Sequence, residues 1–87
     1  MTTPRIVTRH TTDLEWRARN PLRAWRIRTG TRAQTVAHRI GVSKIAVMYW
    51  ERGDRTPRAA AWPARARATG TPNIASRWYE WLAEKAS

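Results

Sequence analysis

The chain contains no cysteine and no phenylalanine, and only 6 of its 87 residues are acidic. Without cysteine there are no disulfides, thiolate metal sites or thiol nucleophiles, a pattern that fits a reducing compartment. No apolar run approaches the roughly 18 residues that a bilayer-spanning helix needs. The Met1 end lacks both the apolar centre of a signal peptide and an acylation motif, so the expected location is the cytoplasm, with no membrane partner. The carboxylates, Asp13, Glu15, Glu51, Asp54, Glu80 and Glu84, are scattered along the chain. They form no acid/base pair, so neither an enzyme nor a small-molecule substrate is expected. His10 and His38 have no third ligand at metal spacing, and no glycine-rich phosphate loop occurs, so no metal and no cofactor are expected.

What is present is positive charge and tryptophan. Seventeen Lys and Arg against six Asp and Glu give a formal net charge of +11, which favours a polyanionic partner, nucleic acid first. Arginine and alanine also accumulate wherever the coding DNA is rich in G and C, so charge needs a motif beside it. The six tryptophans raise the alternative of stacking on the bases of a single strand or of RNA. Their spacing argues against this: Trp25 and Trp50 fall on inward faces, Trp62 opens a helix, and Trp78 and Trp81 lie on an apolar stripe. Trp16 is the exception.

The length suits one small domain with a thin core. Residues 1–19 read as a basic arm, carrying Arg5 and Arg9, with a short helix capped by Thr12 and Glu15 and ending near Arg19. Residues 20–70 hold the main helices. Asn20-Pro21 starts one that Gly30 stops, with Leu22, Trp25 and Thr29 on one face. Thr31-Arg32-Ala33-Gln34 has capping-box spacing and opens the next, which Gly41 ends; Ser43 caps a helix from Lys44 to about Arg52. Gly53 to Pro57 is a turn by composition, and Pro63 delays or kinks the following helix near Trp62. Residues 71–87 begin with Thr71-Pro72 and predict a last helix whose stripe is Ile74, Trp78, Trp81 and Leu82. The predicted class is all-α, a compact bundle of about five helices.

Within this bundle, Thr31 to Trp50 reads as two short helices pivoting on Gly41, the geometry that presents a helix to the major groove of DNA. Ala37 lets the two helices approach, and Val36, Ile40, Val42, Val47 and Trp50 supply the contacts between and beneath them.

From Leu22 to Gly70 the chain resembles the phage-repressor and Cro class of helix-turn-helix proteins (Xre-like), with their lambda-repressor-like fold. The matching residues are Arg26-Ile27, Val36-Ala37, Gly41-Val42-Ser43, Val47, Trp50 and Glu51-Arg52-Gly53 leading to Pro57. The resemblance implies an ion pair between Arg26 and Glu51 that ties the first of these helices to the third. It also implies base reading from the start of the helix at Lys44, by Ser43, Lys44, Ile45, Ala46 and Tyr49: lysine toward guanine, the apolar groups toward a thymine methyl. Where relatives commonly place a phosphate-contacting glutamine this chain has Ala33, and Gln34 is one position along. The expected phosphate contacts are Arg32, Gln34, Arg52, Arg55 and Arg58, which flank the reading helix. Arg5 and Arg9 could enter a minor groove, or else lie on a frayed end or a strand paired within a dimer.

The stripe of the last helix has two uses, packing on the domain or forming a two-fold interface, and the dimer is the expectation. Two reading helices would then meet an inverted repeat about 34 Å apart. The resulting expectation is a double-stranded-DNA-binding transcriptional regulator, a Cro-like repressor of a phage or mobile element. The alternative is an antitoxin whose last helix captures a protein partner.

Overall fold

The computed structural model describes residues 13–86, and every regular element among them is helical, as the all-α expectation required. Helix α1 covers residues 13–18. It is followed by α2 (Pro21–Thr29), α3 (Ala33–Ile40), α4 (Lys44–Arg52), a 3-10 turn (Ala59–Ala61), α5 (Trp62–Thr69) and α6 (Ile74–Ala86). The basic arm with Arg5 and Arg9, and the Thr12 cap, lie outside the described residues. Among the described residues no helix is long and apolar enough to cross a membrane.

Local chemistry accounts for most of the boundaries. Asn20 Oδ1 accepts hydrogen bonds from the amides of Leu22 and Arg23, both at 3.0 Å, with Pro21 opening α2. The Asn20 side chain does more than cap, because its Nδ2 also donates to the Trp50 carbonyl at 3.3 Å, and the residue is fully buried. Ser43 Oγ accepts from the Ala46 amide at 3.1 Å and caps α4. Between α3 and α4, Gly41 takes a left-handed φ of 84° that a side chain would strain. Pro63 falls in the first turn of α5, where a missing N–H has no helical acceptor to lose, and the 3-10 turn precedes it.

One boundary departs from expectation. The capping box over Thr31–Gln34 does not form: α3 starts at Ala33, and Arg32 at its cap makes no side-chain hydrogen bond there. Thr31 belongs instead to the end of α2. Its amide donates to the Arg26 carbonyl at 2.8 Å, its carbonyl accepts from Arg26 Nη1 at 3.2 Å, and its hydroxyl lies 2.7 Å from that of Thr29.

The core is built from Trp16, Leu22, Val36, Ala37, Val47, Trp50, Trp62, Ile74, Trp78 and Trp81, with Trp25 and Leu82 packed at its edge. Two expectations are corrected here. The stripe of α6 is not left for a two-fold interface: Ile74, Trp78 and Trp81 are 1%, 1% and 2% exposed within the single chain, and Leu82 is half-buried. The stripe is covered because α2 and α5 pack on α6 and α1 adds Trp16, which is itself 3% exposed. Trp16 is thus a core residue and no stacking platform, and α1, the short helix expected before Arg19, packs on the domain through it.

Trp16 and Trp81 stack with ring centroids 3.9 Å apart and planes 5° from parallel. Each indole N–H donates to the other residue's carbonyl at 2.6 Å. This clasp joins the two ends of the described chain and lies against Gly53, the residue that ends α4 with φ 80°. A Cβ on Gly53 would fall 2.5 Å from Trp16 Cη2 and 3.2 Å from Trp81 Cη2. Gly70 has a similar φ of 63° but nothing within 4 Å of such a Cβ. Gly70→Ala should therefore cost only the left-handed penalty, about 1–2 kcal/mol. Gly53→Ala should lose clearly more, read as a lower urea midpoint at unchanged slope; equal losses would show that the clasp yields freely.

Candidate nucleic-acid interface

Helices α3 and α4 pack through Val36, Ala37 and Val47, which are almost fully buried. That packing fixes which face of α4 looks outward. Val47, Trp50 and Glu51 turn inward, leaving Lys44, Ile45, Met48 and Arg52 exposed on the other side. Ile45 is 61% and Met48 40% exposed, so this face of α4 presents two apolar groups beside the Lys44 ammonium.

Two bonds hold α4 against α2. One is the Asn20 hydrogen bond to the Trp50 carbonyl. The other is the Arg26–Glu51 pair, with Arg26 Nη2 to Glu51 Oε1 at 2.8 Å and Nε to Oε2 at 2.5 Å. Hydrogen bonding to Glu51 raises the Arg26 pKa above the ordinary guanidinium range, against the opposing effect of burial, so Arg26 is charged at every accessible pH. The pair that the resemblance implied is present, and it ties α4 to α2.

The remaining expected site residues fall in three groups. Lys44 and Ile45 stand at the leading edge of α4, exposed. Ser43 is exposed there too, although its oxygen is engaged as the cap. Ala46 does not join them: it is half-buried and packs against the core, because it lies one residue before the inward Val47 and tilts toward α3. Tyr49 is half-buried under two cations, with the Arg55 and Arg52 guanidinium carbons 4.8 Å and 5.3 Å from its ring centre. This arrangement holds both arginines beside the end of α4. Arg52 also pairs with Asp54 at 3.3 Å. Arg55 and Arg58 are exposed in the segment after α4.

Arg32 and Gln34, exposed at the start of α3, join Lys44, Met48 and Arg52 in lining an open groove of about 670 Å³. Its other walls include Leu14 and Arg17 of α1 and Arg23 of α2. Helical periodicity turns Met48 outward on α4 without directing it to the bases. Arg17 carries no signal in the sequence, since the Trp16 clasp, formed with a residue 65 positions away, holds α1 in the fold; Arg23 reaches the groove because α2 packs on α4.

Against known protein families, the model of the helix-turn-helix domain matches residues 20–76, more than half of the 87-residue chain. The chain belongs to this helix-turn-helix family, and with α4 exposed it has the form of a DNA-binding protein. No curated protein and no solved structure matches it. The matched segment begins at the Asn20 cap and stops within α6, so Trp16 and Trp81 lie outside it.

Because Arg26 is mostly shielded, with 16% of its side chain exposed, removing its partner leaves a charge poorly solvated. Glu51→Gln should cost about 1.5–3 kcal/mol, the range for hydrogen bonds to charged groups and below that for a fully buried ion pair. Adding Arg26→Gln to it should recover part of that loss in a double-mutant cycle followed by urea unfolding. Additive losses would mean that the two side chains act independently.

Proposed function

We propose that the protein is a sequence-specific, double-stranded-DNA-binding transcriptional regulator that reads its site with the exposed face of α4. The observation that carries this reading is the combination of exposed Lys44, Ile45 and Met48 on a helix whose opposite face is locked into the core. A water-facing surface gains nothing from Ile45 and Met48, whereas the floor of a major groove offers thymine methyls to them and guanine O6 and N7 to Lys44. Arg32 and Gln34 at the start of α3, and Arg52, Arg55 and Arg58 beyond α4, are the phosphate contacts that set register. Of the readers expected from the sequence, Lys44 and Ile45 stand in this reading, Ser43 and Tyr49 border it, and Met48 takes the place of Ala46.

Repression by occupying a promoter-overlapping operator, in the manner of a Cro-like switch protein of a phage or mobile element, is the biological role that the residue pattern from Leu22 to Gly70 supports. Action as a homodimer on an inverted repeat belongs to the same reading. With Ile74, Trp78 and Trp81 inside the fold, such a pair would have to meet through another surface.

Selecting bound duplexes from a random pool tests the proposal. The recovered motif should hold a guanine opposite Lys44, and Lys44→Ala should relax preference at that base pair by about tenfold to a hundredfold while leaving the other positions in place. If the wild-type protein enriches no sequence from the pool, the proposal fails. Recovery of an inverted repeat with half-sites about one duplex turn apart would establish two-fold binding.

A further inference from the structure

The groove beside α4 runs the length of the reading helix. Lys44, Met48 and Arg52, spaced one helical turn apart on α4, line it together with Leu14 and Arg17 of α1. Arg23 and the start of α3, with Arg32, close the remaining sides. The one acid in the lining is Glu51, already neutralised by Arg26. Among the described residues, Arg17, Arg23, Arg32 and Lys44 make no ion pair; the three ion pairs present are Arg19–Glu84, Arg26–Glu51 and Arg52–Asp54. The groove is therefore a channel of uncompensated positive charge with two apolar spots, Leu14 at 55% and Met48 at 40% exposure.

We infer that this groove seats the sugar–phosphate backbone of one DNA strand, and that α1 is part of the DNA-binding surface through Arg17, with Arg23 of α2 beside it. The inference rests on the reading of α4 given above. A helix lying in a major groove about 12 Å wide has a strand on each flank, so a wall that follows α4 along its length must face phosphates. A row of unpaired arginines meets the repeating charge of that strand. Leu14 meets the apolar faces of its deoxyriboses. The Trp16 clasp holds α1 at the distance this requires, since Trp16 turns into the core while its neighbour Arg17 turns out.

The test is the salt dependence of binding for the full chain, measured on the duplex recovered by selection and on a mixed-sequence duplex of equal length. Arg17→Gln and Arg23→Gln should each lower the slope of log K against log salt by about 0.9, the value for one phosphate no longer neutralised. Melting and site preference should be unchanged, because phosphate contacts weaken all sequences alike. Arg17→Lys should keep the full slope. Arg77→Gln, in the separate groove between α2 and α6, should also keep it. Full slopes in both glutamine variants, from a wild-type protein that still discriminates among duplexes, would overturn the groove assignment and leave the function standing. That result joined to loss of binding to a defined acidic peptide would give the groove to protein instead. A wild-type protein that discriminates no duplex, yet shows the reduced slope in the two variants, would keep the groove as a backbone seat and overturn sequence-specific reading.

Discussion

The placement of α4 depends on two adjacent residues of that helix, Trp50 and Glu51, being tied to the two ends of α2. Asn20 reaches the Trp50 carbonyl from the start of α2, and Arg26 reaches the Glu51 carboxylate from near its end. One tie would leave α4 free to swing about it; two ties about a helical turn and a half apart fix its direction. Base recognition needs side chains held to within a fraction of an ångström, and flexible surface contacts do not provide that. The Asn20–Trp50 tie is buried and the Arg26–Glu51 tie is part-buried, so both are less exposed to screening by salt than charges on the surface.

Tryptophan in place of phenylalanine sets the character of the core. An indole brings more apolar area than a benzyl ring, but also an N–H that must find an acceptor when buried. Trp16 and Trp81 answer this reciprocally, each using the other's carbonyl. Trp62 and Trp78 pack against one another at 5.3 Å, and among the described residues their buried Nε1 atoms have no acceptor; an N–H left unsatisfied costs on the order of 1–3 kcal/mol. Their burial of ring area outweighs that penalty, consistent with a fold that depends on a few large side chains. Arg65 adds to the same economy of surface: its guanidinium lies 4.3 Å from the Trp50 ring centre, and burial lowers its pKa.

The sequence is legible where the code is local. Asn20-Pro21, Ser43, Gly41 and Pro63 act on neighbours within four residues, and each boundary they predict is where the helices change. The same holds for the inward set on α3 and α4, because helical periodicity alone sorts Val36, Val47 and Trp50 from Lys44 and Ile45. Thr31 shows the limit of local reasoning: its spacing fits a capping box, but Arg26 claims its backbone first. The stripe of α6 shows a larger limit. Periodicity demands that Ile74, Trp78 and Trp81 be covered without saying by what, and the answer, Trp16, stands 65 residues from its bonding partner. A side chain on a short first helix gives no local sign that it closes the far end of the fold, and for the same reason no local pattern places Arg17 beside Met48.

The clasp also explains why the elements outside the matched helix-turn-helix segment are not ornaments on it. Trp78, beyond residue 76 where the match ends, is 1% exposed and fills the centre of the core. Without α6 the segment would present a cavity the size of an indole, and without Trp16 the outer face of Trp81 would be open to water. The clasp rests in turn on Gly53, the left-handed residue that terminates α4. Packing of the clasp therefore bears directly on the end of α4, where Tyr49, Arg52 and Arg55 are grouped around the same turn. The stability of the domain and the position of the last turn of α4 draw on one set of contacts, so under the function proposed above a sequence change that weakens the clasp would weaken recognition even though it touches no nucleic acid.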